Sequence, residues 1–219
     1  MRYDLYGRGC SDRPKAPYNL DLYVRQLSEL LQALGLREQA LNLIGFSFGT
    51  AIPAAFALQS PDLVRRICLI GPIHPADMPA PPAKIWKSLL NFRFLAANLD
   101  HSLIQGLPNN FYQYDAYPDF EEQFSEQLAY KGYARALTST LIDFDYAALP
   151  EIYRQVGQLA IPICIIWGEE DFQADIETSA EFRKLMPSLQ FHPIEEAGHL
   201  AHYERPDLVN PILLNFLTE

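Results

Sequence analysis

Basic residues are scarce in this chain. Seventeen Lys and Arg stand against twenty-seven Asp and Glu, a formal net charge of −10. That balance excludes a nucleic-acid backbone as the main partner, because phosphate binding needs clustered cations. The acidity is assigned to solubility rather than to substrate choice. Cysteine is scarce too: Cys10, Cys68 and Cys164 are scattered and odd in number. They make no disulfide framework. Cys68 and Cys164 lie inside apolar runs as small buried hydrophobes, and a reducing compartment suits them. No uninterrupted apolar run approaches the ~18 residues that span a bilayer. Met1-Arg2-Tyr3-Asp4 lacks the apolar core of a signal peptide, so a cytoplasmic location is the default expectation. There is no internal repeat and no low-complexity tract. What remains is an ordinary globular composition, 49% hydrophobic and 20% charged over 219 residues, enough for one sizeable core.

The chain is organised around Leu43-Ile44-Gly45-Phe46-Ser47-Phe48-Gly49-Thr50-Ala51. Leu41, Leu43, Ile44 and Phe46 suit a buried strand, and the Ala-rich run from Ala51 to Leu58 suits a helix. Between them stands Gly-x-Ser-x-Gly. Small flanking residues let the backbone turn sharply, so the hydroxyl of Ser47 stands exposed while the N–H of Phe48 points at the same space. The following helix aims its positive end there. A plain strand-to-helix turn with Ser47 as a cap is the competing reading. The motif's position between strand and helix favours a nucleophile.

Taken in order, Tyr3-Asp4-Leu5-Tyr6 predicts a short strand closed by the loop Gly7 to Pro14. Asp21 is expected to cap a helix carrying Val24, Leu27, Leu30, Leu31 and Leu34, stopped by Gly35. Pro53 predicts a kink in the helix after the serine. Leu63 to Ile70 is a strand closed by Gly71-Pro72. Strand and helix alternate, and the strands are apolar throughout, which predicts a parallel sheet covered on both faces. From Ile73 to Gly157 the alternation lapses. A Pro-rich stretch (Pro75, Pro79, Pro81, Pro82) precedes helical patterns at Lys84–Leu99 and Phe120–Leu141. Between those patterns lies an aromatic loop, Phe111 to Tyr117. Trp86, Phe92, Phe94, Tyr112, Tyr114 and Tyr117 suit a helical insertion with its own small core and, compatibly with that, the underside of a lid over an apolar pocket. Alternation resumes with strands at Ile161–Trp167 and Leu189–Ile194 and a helix at Ile176–Met186. A closing helix from Pro206 to Leu217 contains Pro211, implying a kink or a later start.

A serine hydroxyl needs a base, and the base needs a carboxylate to fix its tautomer. All three belong at the carboxyl ends of parallel strands. Among five histidines, His199 sits in a Gly-containing loop directly after a strand. His202 is the runner-up, His192 lies within a strand, and His74 and His101 belong to the insertion. His199 and His202 lack a third ligand at metal-site spacing. Asp171 ends a strand-plus-turn. Glu169, Glu170 and Asp175 compete with it, and Asp77 is an outside candidate.

The order Ser47, Asp171, His199 resembles the α/β-hydrolase superfamily of the AB hydrolase-1 type, in which the triad runs Ser, then Asp or Glu, then His. Asp4 to Asp12 resembles the family's Asp-x-x-Gly-x-Gly-x-Ser segment. With Gly45–Gly49, Trp167–Asp171 and Gly198-His199, four motifs stand in the family's order. The resemblance implies an α/β fold with a mostly parallel, doubly wound sheet. Its core would be 1–72 and 158–219, and 73–157 would be a helical cap. It implies a carboxylesterase- or lipase-like serine hydrolase of an ester or related acyl compound, working without cofactor or metal on a small molecule with an apolar acyl or aromatic group. Ser47, His199 and Asp171 would be catalytic and the Phe48 N–H part of the oxyanion hole. The same triad serves carbon–carbon bond hydrolases and cofactor-free perhydrolases. Epoxide hydrolases and haloalkane dehalogenases resemble the fold with Asp where Ser47 stands. The family also begins with three further strands and a His-Gly loop that supplies a second oxyanion donor, and this sequence starts at what resembles the fourth strand. Losing one donor typically lowers the rate about 10²–10³-fold. The expectation is an incomplete product with impaired activity, and a silent binding homologue is the rival.

Overall fold

Four segments with apolar residues at their centres or ends, each followed by Gly or a polar residue, form the strands β1 (Leu41–Phe46), β2 (Val64–Ile70), β3 (Ile163–Gly168) and β4 (Gln190–Ile194). The computed structural model describes residues 1–75 and 89–218. The strands pair in parallel in the order β1-β2-β3-β4. Ile44 lies opposite Cys68, Cys68 opposite Cys164, and Cys164 opposite Gln190.

Side chains alternate across the pleat, so each face has its own apolar cluster. On one face Ile67, Leu69, Ile165 and Trp167 pack with Leu22, Phe56, Tyr153 and Phe182. These last four come from α1 (Leu20–Ala33), α2 (Ala51–Gln59), α6 (Leu149–Val156) and α7 (Ser179–Leu185). On the other face Cys68, Ile70, Cys164 and Ile166 pack with Ala201, Val209 and Phe216. Those residues belong to α8 (Ala201–Glu204) and α9 (Pro206–Thr218). Between β2 and α6 the chain forms α3 (Leu89–Gly106), α4 (Phe120–Leu128) and α5 (Tyr133–Asp143). Among the described residues no helix is long and apolar enough to cross a membrane.

Several sequence expectations need correction. Tyr3 to Tyr6 is not a strand. Its backbone groups go elsewhere: the Tyr6 N–H donates to Gln26 Oε1 (2.8 Å), and the Asp4 carbonyl accepts from Gln26 Nε2 and Ser11 Oγ. An extended segment with no ladder beside it satisfies its polar groups with whatever side chains are near. Asn19, not Asp21, caps α1, its side chain accepting from the Leu22 N–H. Asp21 lies in the first turn, where its charge meets the helix's positive end. Pro53 is the third residue of α2, which runs on past it to Gln59. The pattern over Phe120–Leu141 is divided between α4 and α5 at Gly132, whose φ of 88° breaks the helix. α9 starts at Pro206 and keeps Pro211 inside it. Trp86, Asp77, Pro79, Pro81 and Pro82 lie outside the described residues.

Candidate active site

Ser47 stands at the carboxyl end of β1 with φ 50°, a left-handed backbone that a non-glycine residue adopts only when its surroundings enforce it. The enforcement is visible on both sides. A Cβ on Gly45 would lie 2.5 Å from the Gly49 carbonyl oxygen and 2.7 Å from Thr50 Cα, so strand and helix approach too closely for any side chain. Behind the turn, Thr50 donates to the Ser47 carbonyl (2.6 Å) and accepts from the buried Tyr153 hydroxyl (3.1 Å). Ser47–Thr50 is a single 3₁₀ turn running straight into α2. Phe48 therefore opens the helix, where backbone N–H groups have no partner within it. Its ring packs on Tyr23 and Phe144.

Asp171 follows β3. Trp167, fully buried, donates its indole N–H to the Ala174 carbonyl (2.8 Å) and closes the loop that carries the aspartate. Asp171 Oδ1 accepts from the N–H groups of Gln173 (2.8 Å) and Ala174 (2.9 Å). Its other oxygen is left to face His199. His199 follows β4, and its Nδ1 lies 2.7 Å from Asp171 Oδ2. Its Nε2 lies 2.7 Å from Ser47 Oγ. Both Asp171 and His199 are buried. A carboxylate on Nδ1 places the ring proton there, so Nε2 is free to accept from the serine hydroxyl.

The rival candidates have other partners. Glu170 accepts from the Ala197 N–H (3.0 Å) and so ties the two loops together. Asp175 caps a 3₁₀ turn through the Glu177 N–H. His202 packs its ring 4.6 Å from Phe46, with Nδ1 buried and unpartnered. Burial first, then the nearby His199, hold its pKa below the ordinary imidazole value. His192 lies on the edge strand β4, and burial depresses it too. His74 packs on Phe182, and His101 is exposed on α3. Among the described residues no three His, Cys, Asp or Glu side chains converge as a metal site requires.

Two residues escape sequence reasoning. Glu204, on α8, is buried and accepts from the N–H groups of Gly198, Tyr112 and Gln113. It ties the loop of His199 to the loop after α3, and nothing in its sequence neighbourhood marks it. Arg8 is the other, and its flanking glycines were the available signal. With Ser47, Phe48 and His199 it lines a cavity of about 520 Å³, roofed by Leu103, Leu107, Phe120, Phe124, Leu137 and Tyr146 among others.

A parallel α/β sheet with hydroxyl, imidazole and carboxylate aligned at its carboxyl end, beside an apolar cavity, defines a hydrolase-type scaffold. The chain belongs to the alpha/beta hydrolase fold family, whose profile matches residues 2–206. It is 27% identical, over 90% of its length and 68% of the relative's, to a 2-hydroxy-6-oxononadienedioate/2-hydroxy-6-oxononatrienedioate hydrolase of Paraburkholderia phymatum. It is 26% identical, over its whole length and 80% of the relative's, to a putative 2-succinyl-6-hydroxy-2,4-cyclohexadiene-1-carboxylate synthase of Bacillus subtilis. Its fold matches the crystal structure of an enol-lactonase from Burkholderia xenovorans with a TM-score of 0.81. That match has 22% identity and covers all of this chain and 80% of the other.

Proposed function

We propose that the protein is a serine hydrolase of an ester or related acyl compound. Ser47 Oγ attacks the acyl carbonyl carbon as its proton passes to His199 Nε2. The imidazolium is held by Asp171, and the Phe48 N–H donates to the oxyanion. The tetrahedral adduct expels the alcohol, which takes the proton from His199 and leaves an acyl group on Ser47. Water, deprotonated by the same imidazole, then releases the acid. The observation that carries this reading is the unbroken chain from Asp171 through His199 to Ser47, with both links at 2.7 Å.

The segment 73–157 is proposed as a cap, since its described helices roof the cavity with aliphatic and aromatic side chains suited to an apolar acyl or aromatic group on a small molecule. The cytoplasm is the proposed location: all three cysteines are free, Cys68 and Cys164 included, although their sulfurs lie 3.5 Å apart. A second reading, hydrolysis of a carbon–carbon bond by the same three residues, is favoured by the name of the Paraburkholderia relative, which takes an oxo-acid.

A fluorophosphonate probe tests the common step. Covalent labelling at Ser47, lost in Ser47→Ala and strongly slowed in His199→Ala, is the expected result. A folded protein that never labels is instead a silent homologue.

A further inference from the structure

Among the described residues lining the cavity, Arg8 is the only one with a permanent charge. The loop that presents it is tightly built. Gly7 and Gly9 both have positive φ (84° and 43°), and side chains there would strike Ala136 and the Asp4 carboxylate. Asp4 Oδ2 accepts from the Cys10 N–H (2.9 Å), and Arg13 Nη2 donates to the Gly9 carbonyl (2.7 Å). Arg8 thereby lines the cavity from a loop whose flanking glycines leave no room for side chains.

The guanidinium itself is poorly matched. A guanidinium has five donors and never loses its charge in a protein. Nη2 reaches Thr140 Oγ1 only at 3.4 Å. That oxygen already receives the Tyr23 hydroxyl at 2.8 Å and donates to the Ala136 carbonyl. Nη1 is buried with no acceptor. Among the described residues no carboxylate lies within ion-pair distance of it. Its surroundings are phenols: the Tyr133 ring centroid is 5.4 Å from the guanidinium carbon. Burial raises Tyr23, Tyr133 and Tyr146, and the Arg8 charge opposes the rise in each. Asp100 on α3 is the one carboxylate felt at Tyr133, and one of its oxygens is likewise buried without a donor. A cation half-withdrawn from water with so little to answer it is costly unless a ligand supplies the missing acceptors.

We propose that Arg8 binds a carboxylate carried on the acyl part of the substrate, so that the cavity selects anionic acyl compounds over neutral ones. This inference rests on the reading of Ser47 as the acyl-accepting group, and it names the substrate class of that site. The carboxylate takes the free donors of the fork while the apolar chain lies along Leu103, Phe124 and Leu137.

The test is binding without turnover. Calorimetry on the Ser47→Ala protein compares hexanoate with hexanamide, its uncharged counterpart. Hexanoate is expected to bind about ten- to a hundredfold more tightly, the range for a hydrogen bond to a charged group. Arg8→Met should bring the ratio near one, and Arg8→Lys should restore part of it. Should Arg8→Met fail to show a native melting transition, the comparison falls to Arg8→Lys, which keeps the charge without the planar fork and should lower the ratio several-fold. Equal binding of the two ligands, absence of hexanoate binding, or a ratio unchanged in the folded variant overturns the proposal. Labelling of Ser47 is measured separately, so this inference and the nucleophile reading fail on different evidence.

Discussion

Glu204 accepts a hydrogen bond from the Gly198 N–H at 2.7 Å, one residue ahead of His199. The other carboxylate oxygen accepts from the N–H groups of Tyr112 (2.9 Å) and Gln113 (3.2 Å), and Tyr117 donates its hydroxyl to the Glu204 carbonyl (3.3 Å). One side chain thus holds the imidazole loop and the loop roofing it in a single arrangement. A Cβ on Gly198 would collide with the backbone of Phe111 and Tyr112, which shows how closely the two loops are pressed together.

Truncating that side chain should loosen both loops. Glu204→Ala strands three N–H donors that are now paired, and the expected loss of stability is about 3 kcal/mol, roughly 6–12 °C in melting temperature. Glu204→Gln keeps an acceptor on one side only and should fall between the two. A positioning role also predicts slower phosphonate labelling of Ser47 well below the melting temperature, in both variants. Wild-type labelling rates in a destabilised Glu204→Ala protein would confine the residue to stability.

The tautomer of His199 rests on Asp171. In Asp171→Asn the backbone bonds from Gln173 and Ala174 can persist on the amide oxygen, so the loop keeps its shape. The amide nitrogen then faces Nδ1, moves the ring proton to Nε2 and removes the acceptor for the serine hydroxyl. Labelling and turnover should fall about 10³–10⁴-fold with the melting temperature little changed. A loss smaller than tenfold would deny Asp171 this part.

His202 makes stability depend on pH in a defined direction. Its pKa in the folded protein is depressed, by burial and by the neighbouring His199, so the unfolded chain binds the proton more readily. Stability is complete above about pH 6.5, the ordinary imidazole value, and declines as pH falls below it, by at most about 1.4 kcal/mol per pH unit for one group. His202→Phe, which preserves the contact with Phe46, should flatten the acid side of a melting-temperature profile. Part of the slope should remain, because burial depresses His192 as well. An unchanged slope would show that His202 is not the group being titrated.

The four strands were legible because each carries apolar residues and ends at a Gly or polar residue, and alternation with helices leaves a parallel sheet as the consistent solution. Ser47, Asp171 and His199 could be brought to one end of the sheet because each lies in the turn or loop that follows such a strand. Tyr3 to Tyr6 misled because apolar pattern alone does not say whether a ladder stands beside it, and the Gln26 side chain claims its backbone instead. Glu204 was invisible for a related reason. Its three donors come from residues 6 to 92 positions away in the chain, and a buried carboxylate receiving backbone N–H groups looks in sequence like any surface glutamate. Arg8 stood in a motif noted for its glycines, while the want of an acceptor around the guanidinium is a property of the packed cavity alone.

The left-handed backbone at Ser47 sets this residue against its own scaffold. Glycine would occupy the same turn without strain, and that strain is typically about 1–3 kcal/mol. With Ser47 in its proposed role, the position is one where resilience to heat and chemical usefulness pull in opposite directions. A selection for thermal hardiness alone, blind to turnover, would be expected to discard the hydroxyl there.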